Sequence, residues 1–342
     1  MGRFIGGNIG RAINITDNAW ASSGIYNILD QYWHRKQDKW KEPPMVVTGG
    51  AIYTPGNGYR YHTFLAGQTH NLEVTHSPGG AGGSFELLAV GAGGCNQGPY
   101  RGGSGGGGVV HHTQFPYTVG TQYTINVGGT NSSNSPGNDT TITHPNGTLT
   151  AKGGGQGGNF SPALSGQPGG SGGGEQDSGQ GIGNGIQPSQ NSPWTPQTGF
   201  NQYGRNGGAG RNTGAYHSGG GGGAGEVGGQ AYAPATSASG GYGGRGIPIS
   251  GFEYPLIGLT PVDNPGEANS PTSNHYGGGG AGWGYASQPE GVDRYRAYGG
   301  GGAGTPKPAS FPQNGTDGLG GGGAAPGGSG GAGILVIRYP YS

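Results

Sequence analysis

The chain has 342 residues, of which 89 are Gly and 25 Pro, and its 16 basic and 16 acidic side chains leave a formal net charge of zero. With 11 Leu, 16 Ile, 12 Val and 8 Phe, it has too few bulky apolar residues for an ordinary hydrophobic core along its whole length. Neutrality removes the electrostatic case for nucleic acid or an anionic membrane as the main partner, and the lack of any apolar run of ~18 residues argues against membrane insertion.

Such a composition ordinarily reads as low-complexity disorder, but disordered chains carry excess charge and this one is balanced. Collagen is excluded because no Gly-X-Y period runs through the glycine stretches. No signal peptide is expected, since no continuous apolar stretch follows Arg3 or Arg11. Cys95 stands alone, so no internal disulfide framework is possible, and a small filler is its simplest role.

Residues 1–45 read as a separate segment. Ile25, Ile28, Leu29, Tyr32 and Trp33 recur at helical spacing and form one apolar face. Ser22 or Ser23 suits the N-cap, Arg35, Lys36 and Lys39 suit the C-terminal end of the dipole, and Glu42-Pro43-Pro44 ends the helix. Two partners could bury that face: the chain's own β-structure, or a larger assembly to which this segment attaches the protein.

Residues 46–151 carry short β-branched and aromatic runs bounded by Gly, Pro and Asn, among them YRYHTFLAG, SFELLAV and TQYTINVGG. Their spacing predicts an antiparallel sandwich. GILVIRYPY at 333–341 is the most apolar stretch of the chain, so it is expected to return as a central strand of that sheet within 333–342. Residues 152–332 then form one long insertion before the last strand.

Within the insertion, GGGGGAG at 219–225, GGGGAG at 277–282, GGGGAG at 299–304 and GGGGA at 320–324 alternate with loops rich in Pro, Asn, Ser, Tyr and Trp. Fixing a glycine run costs more conformational entropy than fixing any other sequence, so something must offset that cost repeatedly. In a three-residue extended helix every N–H and C=O points outward. Glycine runs without side chains can lie close enough to bond on all sides, at about 0.5–1.5 kcal/mol net per bond. The predicted architecture is mostly β and irregular: a short N-terminal helix, an antiparallel β-sandwich base, and a bundle of parallel polyglycine type II rods with loops at their ends. Ala281 is expected at an edge of the bundle.

The ordered set YRYHTF, LEV, SFELLAVGAGG, GGSGGGGVV, YTVGTQYTINVGG and GTLTAKGGG, closed by GGSGGAGILVIRY, resembles the glycine-rich module of bacteriophage tail proteins, including tail-fibre tip adhesins. The opening MGRFIGGNIGR with ASSGIYNILDQY resembles the N-terminal segment of phage virion proteins. The resemblance implies a β-base, a layered polyglycine sandwich and variable loops that contact the host surface. It also implies a location in the phage tail after assembly in the host cytoplasm, an oligomer there (with a trimer considered), and attachment to other virion proteins through 1–45.

Signals for catalysis or cofactors are weak. Gly153–Gly158 fits a dinucleotide fingerprint by chance in so glycine-rich a chain, no P-loop or GGxGxD calcium repeat exists, and no cofactor or metal is expected. On a strand, His111 and His112 would point to opposite faces, and they read as a surface pair. Nothing pairs any two of Glu86, Glu253, Asp263, Glu267, Glu290 and Asp293 as glycan-cleaving carboxylates.

Aromatic and arginine residues of the loops are the receptor-contact candidates: Trp194, Tyr203, Phe252, Tyr254, Trp283, Tyr285, Arg294, Tyr295, Arg296 and Tyr298. The competing role for the rings is to cover the outer faces of a bundle that has no side chains of its own. The leading expectation is a non-enzymatic virion adhesin for a host-surface protein or glycan. The alternative is a purely structural fibre or decoration protein acting as a rigid spacer.

Overall fold

The computed structural model describes residues 44–78, 80–98, 100–130, 132–145, 147–159, 164–177, 179–187, 199–212, 216–232, 240–260, 274–284, 299–302 and 314–341. The expected N-terminal helix, with Ile25, Ile28, Leu29, Tyr32 and Trp33, lies outside them.

The first nine strands are β1 Val46–Thr48, β2 Ala51–Tyr53, β3 Tyr59–Leu65, β4 Thr69–His76, β5 Gly82–Val90, β6 Val109–Thr118, β7 Gln122–Asn126, β8 Thr140–His144 and β9 Gly147–Ala151. Six shorter or later ones follow: β10 Phe200–Tyr203, β11 Arg211–Asn212, β12 Tyr216–His217, β13 Ile247–Pro248, β14 His275–Tyr276 and β15 Ile334–Pro340. All their pairings are antiparallel. One sheet has the order β1-β4-β7-β8-β9, a second the order β10-β6-β5-β15-β3-β2, and two two-stranded sheets join β11 to β12 and β13 to β14.

Alternation of apolar residues sets what each strand buries. Leu72 and Val74 on β4, Tyr123 and Ile125 on β7, and Ile142 on β8 pack against Phe85, Leu87, Phe115, Leu335 and Ile337 of the larger sheet. The last strand is apolar on both faces because both faces are covered. Ile334 and Val336 point the other way, into a second cluster with Tyr61, Leu88, Val90 and Val109. β15 lies between β3 and β5, with Val336 opposite both Thr63 and Leu88.

The second cluster is closed by a segment from the glycine-rich region. Phe252, Tyr254, Ile257, Tyr276 and Leu319 seal it. Tyr254 begins a short 3-10 turn, Tyr254–Ile257, which Gly258 ends in the left-handed region at φ 78°. The turn is tied down where the Thr63 hydroxyl donates to the Ile257 carbonyl at 3.0 Å.

Where side chains stop, the β-ladder becomes a lattice. The β5–β6 pairing continues beyond the sheet as Gly91 N–H to Gly108 O (3.0 Å) and Gly94 N–H to Gly105 O (2.9 Å). From there the run 102–108 turns successive peptide groups toward different neighbours. Gly102, Gly105 and Gly108 donate to Gly158, Gly155 and Lys152; Gly103 and Gly106 donate to Gly219 and Gly222; Ser104 and Gly107 donate to Gly323 and Gly320. It accepts from Gly91 and Gly94, from Ser171 and Gly174, and from Gly280. Six runs therefore surround one, and bonds to a given neighbour recur every third residue.

Neighbouring runs have aligned axes but both chain directions. Ser218, Gly221 and Ala224 donate in turn to Trp283, Gly280 and Gly277, an antiparallel pairing; Gly278 and Ala281 donate to Gly299 and Gly302, a parallel one. The runs 277–283 and 320–325 are entered through Gly277 (φ 72°) and Gly320 (φ 66°), backbone conformations that L side chains rarely adopt.

Two expectations are corrected here. The lattice is not confined to 152–332: its most enclosed run is 102–108, from the segment assigned to the sandwich, because a run without Cβ atoms can accept neighbours on every side. Ala281 is not at an edge, being 1% exposed and bonded through both its N–H (to Gly302 O, 3.1 Å) and its carbonyl (from Ala325 N–H, 3.0 Å).

Candidate recognition surface

The lattice has a near end, where Gly91, Gly108 and Gly333 join β5, β6 and β15, and a far end, where Asn96, Arg101 and Trp283 lie. The expected contact residues divide between these ends. Trp194, Tyr285, Arg294, Tyr295, Arg296 and Tyr298 lie outside the described residues.

Phe252 and Tyr254 are near-end core residues, 0% and 1% exposed, and are corrected out of the contact set. Phe252 meets Tyr61 edge-on (6.4 Å, 87°) and Tyr254 meets Tyr276 edge-on (5.6 Å, 82°), while the Tyr254 hydroxyl donates to the His275 carbonyl. Two rings in a Gly- and Pro-rich stretch read as loop residues. They are instead the cover that the two-sided sheet requires. Tyr203 also sits at the near end, on β10 opposite Val109, half-buried against the same cluster.

Beside this cover lies a charged cluster. Arg338 on β15 donates from Nε to Glu86 Oε2 (2.7 Å) and from Nη1 to the Gly251 carbonyl (2.8 Å), and its guanidinium lies 4.9 Å from the Phe252 ring centroid. His111 Nε2 donates to Glu86 Oε1 at 2.6 Å. Desolvation pushes the Glu86 carboxyl up, but the hydrogen bonds from His111 and Arg338 outweigh it and hold the group below its usual range. The cluster pins the 249–259 cover to the sheet.

His111 and His112 do point to opposite faces, but they are not a surface pair. His112 is fully buried between Phe115 and Phe200, and burial, with the neighbouring His111 charge, lowers its pKa to about 4. Among the described residues no group of three His, Cys, Asp or Glu could hold a metal ion, and no helix is long and apolar enough to cross a membrane. Glu253 accepts from the Gly251 N–H at 3.0 Å; Asp263, Glu267, Glu290 and Asp293 lie outside the described residues.

At the far end, carboxylates tie loops together. Glu175 accepts from the N–H groups of Gly181 (2.8 Å) and Gly210 (3.0 Å), and Asp177 accepts from the Asn212 amide at 3.0 Å.

Trp283 is the expected contact residue that the structure does place at the far end. Its N–H donates to the Arg101 carbonyl at 3.1 Å, and its ring meets Tyr100 with centroids 4.3 Å apart and planes inclined at 62°. Tyr100 is 40% exposed and holds φ 60°; no other non-glycine among the described residues has a positive φ. Arg101 follows it, with Nη1 3.5 Å from Asn96 Oδ1, and burial lowers the pKa of its guanidinium. No carboxylate among the described residues pairs with Arg101.

Sequence reasoning missed Tyr100 and Arg101. They stand in an ordinary GPYRGG stretch, and their one signal is a ring and a cation directly before the most enclosed glycine run. A family model described as a glycine-rich domain matches residues 67–340. No curated protein matches the chain.

Proposed function

The chain belongs to the glycine-rich domain family, and on that premise we propose that it is a non-enzymatic bacteriophage tail protein that presents loops for host-cell adhesion. In this reading the glycine runs are polyglycine type II helices, whose support is the three-residue recurrence of bonds from 102–108 to its neighbours. Residues 1–45 attach the protein to other virion proteins, and the oligomeric particle carries it outside the cell. The observation that carries the adhesion reading is the Tyr100–Trp283 pair at the far end of a rigid lattice, held away from the sandwich. Tyr and Trp give large amphipathic contact area at low entropy cost.

A spacer protein without a receptor is the second reading. The burial of Phe252 and Tyr254 favours it, since those aromatics serve as cover. Replacing 284–298 with a Gly-Ser segment of equal length separates the two. Adhesion predicts weakened adsorption by particles that still assemble; unchanged adsorption supports the spacer. Removal of residues 1–42 is expected to give a folded chain missing from particles, and its retention there would refute the attachment role.

A further inference from the structure

The sandwich and the lattice do not close completely where they meet. A cavity of about 400 Å³ remains at the near end. Its walls come from distant parts of the chain: Leu65 from the β3–β4 turn, Thr130 from the stretch after β7, Leu259 from the end of the 249–259 cover, and Asp317 and Ala332 from the approach to β15. Four of the ten wall residues are glycines, which supply backbone but no side chain to fill the space. A Cβ placed on Gly67 or Gly129 would meet nothing within 4 Å. The volume falls within the range of small-molecule sites, roughly 300–1,000 Å³.

Hydrogen bonds within the protein fix these walls. Gly333 N–H donates to Gly128 O (2.8 Å), Gly318 N–H to Ala332 O (2.9 Å) and Leu259 N–H to Tyr254 O (2.9 Å). Ala332 N–H donates to Asp317 Oδ1 at 2.8 Å, which uses one oxygen of the carboxylate. Asp317 Oδ2 has neither an ion pair nor a hydrogen bond among the described residues, and no Lys, Arg or His lines the cavity. Thr130 adds a hydroxyl that can accept a further bond. Leu65, 46% exposed, and Leu259 supply apolar wall.

These groups select a ligand class. A carboxylate with no cation beside it disfavours an anion and attracts a positive charge. A guanidinium fork is matched by two carboxylate oxygens, whereas one free oxygen suits the compact charge of an ammonium. An ammonium on a flexible carbon stem can also lay that stem along leucine side chains. We infer that this cavity binds an aliphatic primary amine, its ammonium on Asp317 Oδ2 and Thr130 Oγ1 and its stem against Leu65 and Leu259. The site lies at the opposite end of the lattice from the Tyr100–Trp283 pair and does not depend on the adhesion reading.

The test titrates the full chain with pentylamine, pentanol and methylamine at pH 7, read by NMR shifts of the Gly67 and Gly129 amides. Pentylamine should bind at least ~10-fold more tightly than pentanol, the factor expected for one hydrogen bond to a charged group. It should also exceed methylamine, which has no stem. Asp317→Asn keeps an acceptor for the Ala332 N–H, so its circular dichroism should match the parent while the preference for pentylamine over pentanol disappears. Leu65→Ser alters an exposed side chain and should reduce the preference for pentylamine over methylamine.

Pentanol binding as tightly as pentylamine, no shift at Gly67 or Gly129 with any probe, or either preference surviving its variant would each overturn the inference. Two further probes identify the source of the amine. Tighter binding of Nα-acetyl-lysine amide than of cadaverine assigns the site to a lysine side chain of a partner protein; the reverse order assigns it to a free diamine. Failure of both to bind would overturn the site.

Discussion

Gly105 and Ser171 pack backbone against backbone so closely that a Cβ on Gly105 would stand 2.1 Å from the Ser171 carbonyl oxygen. Similar distances recur along the run: 1.9 Å from Gly107 to Gly91 O and 2.0 Å from Gly103 to Gly280 O. Glycine is therefore required here for space rather than for backbone freedom. Interactions between peptide groups, small singly, become a core when every peptide has neighbours on all sides.

Gly105→Ala should accordingly destabilise the chain severely, by at least about 3 kcal/mol, because the atoms that must move are backbone atoms bonded to further runs. Gly129→Ala is the matched control. Nothing lies within 4 Å of a Cβ there and its φ is not positive, so the substitution should be neutral or stabilise by up to about 1 kcal/mol. Urea unfolding midpoints of the two variants decide it; equal effects would show that the lattice is not close-packed.

Arg338 is the single side chain that joins Glu86, the Gly251 carbonyl and the Phe252 ring. Arg338→Met keeps the bulk of the stem and removes the charge. Breaking a largely buried pair on one side should cost about 2–3 kcal/mol, and the 249–259 cover should loosen first. Hydrogen exchange at the Ile249 N–H, which is bonded to Asn274 O, should rise more than exchange at Ile337 on the sheet.

His112 makes stability depend on pH in a definite direction. Its folded pKa of about 4 lies below the ordinary 6.5, so above pH 6.5 both states are neutral and it contributes no pH dependence. Between 6.5 and 4 the unfolded chain takes up a proton that the folded chain refuses, and stability falls, by roughly 3 kcal/mol at full extent. Glu86 adds to the acid loss: its lowered pKa gives stability present above the ordinary 4.5 and lost as pH falls through the folded value. Denaturant midpoints at pH 7.5 and 4.5 should therefore differ less in His112→Phe than in the parent chain. An unchanged difference would mean that His112 does not govern it.

Legibility in the sequence followed what local pattern encodes. The all-apolar Ile334–Ile337 could only be a strand covered on both faces, and short alternating runs such as Gln122–Asn126 could only be half-buried strands. The cover was harder to read. ISGFEYPLIGL is the most apolar part of the glycine-rich region, yet its Gly and Pro residues resemble loop punctuation, and only the exposed outer face of β15 and β5 explains its burial. The place of 102–108 at the lattice centre depends on five distant runs besides the adjacent 91–94, and no local window contains them. Tyr100 is visible only through its backbone angle.

The last strand sets the strongest prediction about folding. Ile334, Leu335, Val336 and Ile337 are all fully buried, two facing each core, and β15 is hydrogen-bonded along both edges. Burial of such side chains contributes about 1.5–3 kcal/mol each, a sum comparable with the whole stability of a domain. Its loss would also leave β3 and β5 as two open edges facing a gap. A chain ending at Ala332 should therefore fail to fold, despite keeping every run of three or more consecutive glycines, and should appear as insoluble or protease-sensitive material. A soluble chain with native circular dichroism after that truncation would show that the glycine lattice, rather than the sheet, nucleates the structure.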